Sequence, residues 1–426
     1  MPTPQPPVEK PRKMPTKAEL KITEKSAAAA IHPHHALALA TASHYGFLAF
    51  GGIDVEKQDI AKAKAFKENK NRDAEISDAL SFEGFLEEKI AVIRTYLDKK
   101  MADMIQPPMI AYSGPLQGNP HIKKGSREHV FNLDIIGNPK SIADAIIIET
   151  SHLIATEHFP DLDLEIEINS IGDKDSLVRF TREFIAYYKK NMSELSAPCK
   201  ALFKKDPFEL LNCEHEKCQL LGADAPKAMS YLTEPSRVHF REVLEYIESL
   251  SLPYRINHAL VGSRNYCSGI VFRITGNPKK GVAGKPKVIA LGERYNTISR
   301  KAWGKKEVPA IGAALLVDHK GKIPGASNKK AKPARFYFIQ LGHDAKLKSL
   351  AIIEMLRQAK MPVVQSLSRD RITSQLAAAE KLNVPYMLIV GQKEAIEESV
   401  TVRTMSNRSQ ETILVKDLIE HLKRLA

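Results

Sequence analysis

The chain has 426 residues, 43% hydrophobic and 27% charged, with 63 Lys and Arg against 50 Asp and Glu and a formal net charge of +13. That length suffices for two or three domains with cores of their own, and the balance is that of a soluble globular protein rather than a disordered or fibrous one. No apolar run reaches the roughly eighteen residues a transmembrane helix needs, and 4 cysteines over this length exclude a disulfide framework.

In chain order, residues 1–25 are Pro- and Lys-rich ("MPTPQPPVEKPRKMPTK") with no apolar core. They read as a disordered leader, not a secretory signal, which points to the cytoplasm. "HHALALATASHYGFLAF" predicts a helix running into a strand. "SFEGFLEEKIAVIRTYLDKK" spaces Leu86, Ile90, Ile93 and Leu97 as one helix face. "PPMIAYSG" and "VFNLDIIG" predict two antiparallel strands joined by a long Gly/Lys loop. "SIADAIIIETSHLIATEHF" predicts an amphipathic helix, and "DLEIEINSIG" a strand of period two. Residues 174–252 read as largely helical. Within them Cys199, Cys213 and Cys218, with His215 in "NCEHEKC", could in principle hold zinc. The spacing matches no paired C-x-x-C pattern, so they are read as structural or surface thiols and no metal is assigned.

Strands return at "YRINHALV", "GIVFRIT" and "KVIALG", and "VPAIGAALLVD" fits a helix or a strand. In "LVGSRNYCSGIVFRI" a strand pattern breaks at Gly262–Asn265, as where polar groups reach a pocket wall. Residues 276–335 hold fifteen Lys and Arg against three acids, Glu293, Glu307 and Asp318, nearly the whole cationic excess. Such a cluster attracts polyanions, and Lys279, Lys280, Lys329 and Lys330 are its expected RNA contacts. "GKIPGASNKKAKPA" reads as a linker. From Arg335 strands and helices alternate as in a compact α/β domain.

That last part resembles the anticodon-binding domain shared by the histidyl, glycyl, threonyl and prolyl class II aminoacyl-tRNA synthetases. "FIQLG", "MLRQAKMPVV" and "SQLAAAEKLNVPYMLIVGQKE" carry the likeness, with Gln375, Ala379, Pro385, Gly391 and Glu394 on the Q…A…P…G…E pattern. The preceding part resembles the histidyl type of class II catalytic domain. "EINSIGDKDSLVRF" stands for its "INSLG" block, "LVGSRNYCSGIVFRI" for its "LVRGLDYYTGTVFE" signature and "LGERYNTI" for its "GGRYDGL". The resemblance implies an α+β fold: a class II antiparallel sheet with flanking helices plus a C-terminal α/β domain. It divides the chain into a leader (1–25), a catalytic-type domain (26–325), a linker (326–334) and an anticodon-binding-type domain (335–426). It implies a homodimer that binds tRNA, Gln375 among the RNA contacts, with no membrane.

Amino-acid activation brings a carboxylate to a phosphate, so cations must neutralise the transition state, and arginine does so bidentately. The family uses three such arginines; here their positions hold Ala111, Gly262 and His319. Arg127 and Arg264 lie near enough in sequence to be candidates for displaced cations. Glu87, Asp134, Tyr266, Arg294 and Tyr295 match the family's substrate-binding positions. The expectation is therefore a histidyl-tRNA-synthetase-like protein that binds tRNA or another structured RNA, with activation weak or lost and no catalytic residue intact. ATP and Mg belong to it only if it is a working, divergent histidine–tRNA ligase, the first alternative. The second is a regulatory paralogue that senses histidine.

Overall fold

The structure is a computed structural model, which describes residues 35–51, 53–66, 80, 82–104, 107–114, 128–263, 265–280, 284–318, 335–365 and 371–425. The leader, the linker, Arg127, Arg264, His319, Lys329 and Lys330 lie outside them.

The first sheet comprises β1 (Leu48–Ala49), β2 (Met109–Gly114), β3 (Glu128–Ile136), β4 (Leu162–Ser170), β5 (Tyr254–Ile256), β6 (Ile270–Pro278), β7 (Lys287–Arg294) and β8 (Ala310–Asp318). Their order is β1-β2-β3-β8-β7-β6-β4-β5. The six inner strands pair antiparallel, and β1 and β5 add parallel edges. The expected antiparallel pair is β2–β3, in register from Met109↔Ile135 to Gly114↔Val130. "VPAIGAALLVD" becomes a strand because β8 fills the slot between β3 and β7, where small residues are needed. A Cβ on Gly312 would lie 1.8 Å from Asp134 Oδ1.

One face of the sheet is covered by α4 (Ser141–His158), itself covered by α1 (Ala36–His44) and α8 (Glu234–Ser249). Sandwiched in this way, α4 is buried almost all round rather than amphipathic. Against the other face pack α3 (Leu86–Asp98), α2 (Lys57–Phe66) and α9 (Ile298–Trp303), sharing a core with Tyr112, Tyr266 and Tyr295. A helical insertion, α5 (Lys174–Lys190), α6 (Ala197–Lys205), a 3-10 segment Pro207–Asn212 and α7 (Glu216–Asp224), closes on Phe180, Phe184, Tyr188, Phe203 and Phe208. "YRINHALV" keeps only three strand residues, and 257–263 and 265–269 run as turns and irregular loop, with Gly262 and Gly269 at φ 58° and 74°.

The C-terminal unit has β9 (Phe336–Gln340), α10 (His343–Gln358), β10 (Val363–Gln365), α11 (Ile372–Leu382), β11 (Tyr386–Val390), α12 (Gln392–Ile396), β12 (Ser399–Thr404), β13 (Gln410–Leu414) and α13 (Val415–Leu425). Its sheet order is β10-β9-β11-β12-β13. It docks through α10: Arg357 Nη1 meets Glu157 at 2.9 Å, His343 meets Glu245 at 2.7 Å, and the Tyr45 hydroxyl donates to Glu354 at 2.6 Å.

Candidate functional site

The alternation of β2 and β3 puts Tyr112, Asn132 and Asp134 on one face, towards α3. Tyr295, just past β7, donates its hydroxyl to Asp134 Oδ1 at 2.6 Å. Asp134 is buried, and that burial pushes its carboxyl up to about 7, against the hydroxyls of Tyr295 and Tyr112 and the charge of Lys89. The Tyr266 hydroxyl donates to the Phe82 carbonyl at 2.6 Å. Asp134, Tyr266 and Tyr295 are thus brought to one part of the fold.

Sequence reasoning missed Lys89. Its ammonium lies 5.2 Å from the Tyr266 ring centre and 5.7 Å from that of Tyr295, in cation–π range. It forms an ion pair with Glu293, whose side chain is 0% exposed. The second Glu293 oxygen accepts from the Ser263 amide at 3.2 Å. The protein therefore supplies its own ammonium and carboxylate to the space between the two tyrosines. The cavity left beside Phe82, Lys89, Tyr112 and Asp134 is about 10 Å³, room for no more than one water. A Lys in "FLEEK" and a Glu in "LGERY", each within a pocket-forming segment, were the available signal.

Other expected site residues fall elsewhere. Arg294 is buried and bonded to the protein: Nε and Nη2 bind Asp144 at 2.7 and 2.5 Å, and Nη1 and Nη2 bind the Asn138 and Lys140 carbonyls at 3.2 and 3.0 Å. Burial opposes the Asp144 charge, yet Arg294 and His239 outweigh it and hold that carboxyl below its usual range. Arg294 fastens β7 to the first turn of α4 and also lines a cleft of about 510 Å³ with Lys174, Asn265, Gly269 and Lys301. Glu87 is half-buried in the first turn of α3, whereas its neighbour Glu88 is buried and its charge, after burial and Asp134, helps raise the Tyr112 phenol. Ala111 also needs correction as the site of a lost cation. It packs in the core on the α4 side, and the strand presents Tyr112 to the pocket. Tyr112 is no cation either.

Gly262 cannot readily be anything but glycine. At φ 58° a side chain is strained, and a Cβ would meet Glu293 Oε2 at 2.8 Å and Cys267 Sγ at 2.9 Å. Beside it opens a cleft of about 300 Å³ lined by Phe82, Asn257, Leu260, Gly262, Arg273 and Leu291. Arg273, its one Arg among the described residues, donates to Glu167 at 2.6 Å. Burial opposes the Glu167 charge, but Arg273 and Asn257 hold its carboxyl below the usual range. A triphosphate needs cations that are not already neutralised. Among the described residues, Lys89 and Arg273, the cations of these two spaces, are both paired with buried carboxylates. Neither of these two spaces offers a triphosphate an unpaired cation among the described residues.

Of the expected RNA contacts, Lys279 and Lys280 are exposed beyond β6, Lys279 donating to the Pro160 carbonyl at 2.8 Å. Lys285, Arg300, Lys301, Lys305 and Lys306 are exposed nearby in sequence. Gln375 departs from the expectation. It is 0% exposed, its Nε2 donating to the Gln340 carbonyl at 2.9 Å and its Oε1 accepting from the Gln340 amide at 3.2 Å. It joins α11 to β9 and is not presented to RNA. Cys199, Cys213 and Cys218 converge, their sulfurs all within 4.8 Å of one another.

Comparison with known proteins agrees with this architecture. Residues 336–425 match the anticodon binding domain family. The chain is 29% identical over 345 residues to a histidine–tRNA ligase of Halothermothrix orenii, covering 79% of this chain and 80% of that protein. It is 27% identical over 342 residues to one from Dehalococcoides mccartyi, covering 78% and 79%. Among solved structures, the apo histidyl-tRNA synthetase of S. aureus aligns with a TM-score of 0.41 at 20% identity, over 78% of this chain and 81% of that one. An antiparallel sheet with flanking helices, followed by an anticodon-binding domain, defines a class II aminoacyl-tRNA synthetase architecture. Within that class the chain is similar, along most of its length, to histidine–tRNA ligases.

Proposed function

We propose that this protein binds tRNA or another structured RNA through its exposed basic segments and its C-terminal domain, and that its activation site is closed. The observation that carries the reading is the Lys89–Glu293 pair between Tyr266 and Tyr295, which leaves about 10 Å³ beside Asp134. Lys89 acts as an internal occupant: opening the pocket would leave Glu293 buried without its partner, at a cost of about 3–5 kcal/mol. Lys279, Lys280 and the cations around α9 supply the phosphate-directed charge. Two copies pairing through α1 and β1 belong to the same reading, since Leu37 and Leu48 there are 45% and 52% exposed. A working, divergent ligase is the second reading. The contact between Asp134 and Tyr295 favours it, since these matched positions persist together.

Histidine-dependent ATP–pyrophosphate exchange on the purified full chain separates the two, with a motif-complete histidyl enzyme as control and tRNA binding measured on the same preparation. Binding without exchange is the expected result. Exchange approaching the control would overturn the closed-site reading.

A further inference from the structure

The helical insertion holds a thiol cluster that neither the family likeness nor the proposed function uses. Cys199 lies in the first turn of α6, Cys213 directly after the 3-10 segment, and Cys218 in the first turn of α7. Three separate elements thus send one sulfur each to a common point. Cys199 Sγ and Cys213 Sγ are 3.7 Å apart. A tetrahedral zinc with Zn–S bonds near 2.3 Å has ligand edges of about 3.8 Å. Cys199 and Cys218 are each 1% exposed, while Cys213 is half-buried.

Two further features fit thiolate ligands better than packed thiols. The Ser196 hydroxyl, which caps α6, donates to Cys199 Sγ at 2.9 Å. The Tyr188 hydroxyl is buried with no hydrogen-bond partner among the described residues, and it sits beside Cys218 and Cys213. A buried, unpaired hydroxyl costs about 1–3 kcal/mol; a metal-bound thiolate would give it an acceptor, as outer partners of metal ligands commonly do. The cluster also stands where a clamp has something to hold, because α6, the 3-10 segment and α7 are short and share one small aromatic core with α5.

We propose that Cys199, Cys213 and Cys218 bind a structural divalent zinc ion that fastens α6, the 3-10 segment and α7 together. Each thiol gives up its proton to solvent on binding. The half-buried Cys213 marks the open side, so the fourth corner falls to solvent or to the exposed His215 two residues on. The sequence offered these cysteines as a possible site without a C-x-x-C pair to assign it; the fold brings their sulfurs together.

The test uses the full chain, reduced and stripped of metal, titrated with Co²⁺ and then Zn²⁺. One equivalent of Co²⁺ should give thiolate-to-metal charge-transfer bands and the visible absorption of a tetrahedral site, both abolished by Zn²⁺. Cys213→Ser, at a half-buried position where folding should survive, should weaken binding at least tenfold with an unchanged circular dichroism spectrum. Cys199→Ser should do the same or more. A reduced, folded wild-type chain that yields no tetrahedral cobalt spectrum would overturn the proposal, and so would undiminished binding in both variants. A Cys199–Cys213 disulfide in protein prepared with zinc present would overturn it as well.

Discussion

The pocket beside Asp134 and the C-terminal sheet both carry the motif residues of one family, but those residues have fared differently. In the C-terminal unit they are architecture. Gln375 holds α11 to β9 through Gln340, Ala379 is buried, and Glu394 accepts from the Gly391 amide at 2.9 Å and from Thr401 at 3.0 Å, fixing α12 to β12. Losing any of them would cost stability whatever the protein does. In the larger unit, by contrast, the matched residues that persist bond to the protein itself: Tyr295 to Asp134, Tyr266 to Phe82, Arg294 to Asp144. Retained motif residues thus report the fold more faithfully than the reaction.

The sharpest way to break this contrast is to remove the internal occupant. Lys89→Met leaves Glu293 buried and unpaired, and should destabilise the chain by about 3–5 kcal/mol in urea unfolding. Adding Glu293→Gln should restore most of that loss. If the single variant is instead neutral, Lys89 is not holding the pocket closed. Next in size is Gly262→Ala, which meets both a left-handed backbone and the Glu293 and Cys267 side chains. It should cost about 1–3 kcal/mol, and Gly262→Arg, though it restores the family's cation, should yield no pyrophosphate exchange. A robust gain of exchange would show the site to be one residue short of working.

How far the sequence foretold this depends on the range of the interaction. The order of elements, the antiparallel β2–β3 pair and the C-terminal α/β alternation were legible, because period and turn chemistry are local. The Asp134–Tyr295 meeting came with the family likeness. The Lys89–Glu293 pair was not legible, since it joins segments far apart in the chain. Gln375 was misread for a related reason: a pattern match gives a position in the motif but not the face of the helix. Ala111 was misplaced by one strand residue, enough to put it on the opposite face of the sheet.

The joint between the two units gives a smaller, pH-dependent effect. The Tyr45 hydroxyl lies 3.1 Å from Glu149 Oε1 and 2.6 Å from Glu354 Oε2, so two carboxylates share one proton donor. Burial first, and then the Glu354 charge, push the Glu149 carboxyl up to about 8, against the Tyr45 hydrogen bond and Arg357. His44 and His152 are also near this joint or on α4, and burial favours the neutral form of each. Since Glu149 is raised from 4.5 in the folded chain, its contribution is full below about 4.5 and is lost as pH rises through about 8. Glu149→Gln keeps the acceptor and removes the titration. Melting from pH 5 to 9 should show the variant gaining on the wild type as pH rises, and parallel curves would rule out the shared proton.

The smallest effect on the fold, and the most informative about function, belongs to the surface. Lys279→Ala with Lys280→Ala removes two exposed side chains, so unfolding should change by no more than about 0.5 kcal/mol. If the closed pocket and the open basic surface have separate fates, tRNA affinity must fall while stability does not. Each phosphate contact contributes about 0.7–0.9 to the slope of log affinity against log salt, so losing both should flatten that slope by about 1.5. A uniform loss across RNA sequences would fit phosphate contacts, which position without specifying. An unchanged affinity and slope would reduce these two lysines to solvated surface and move the RNA site to the cations around α9 or to the C-terminal unit.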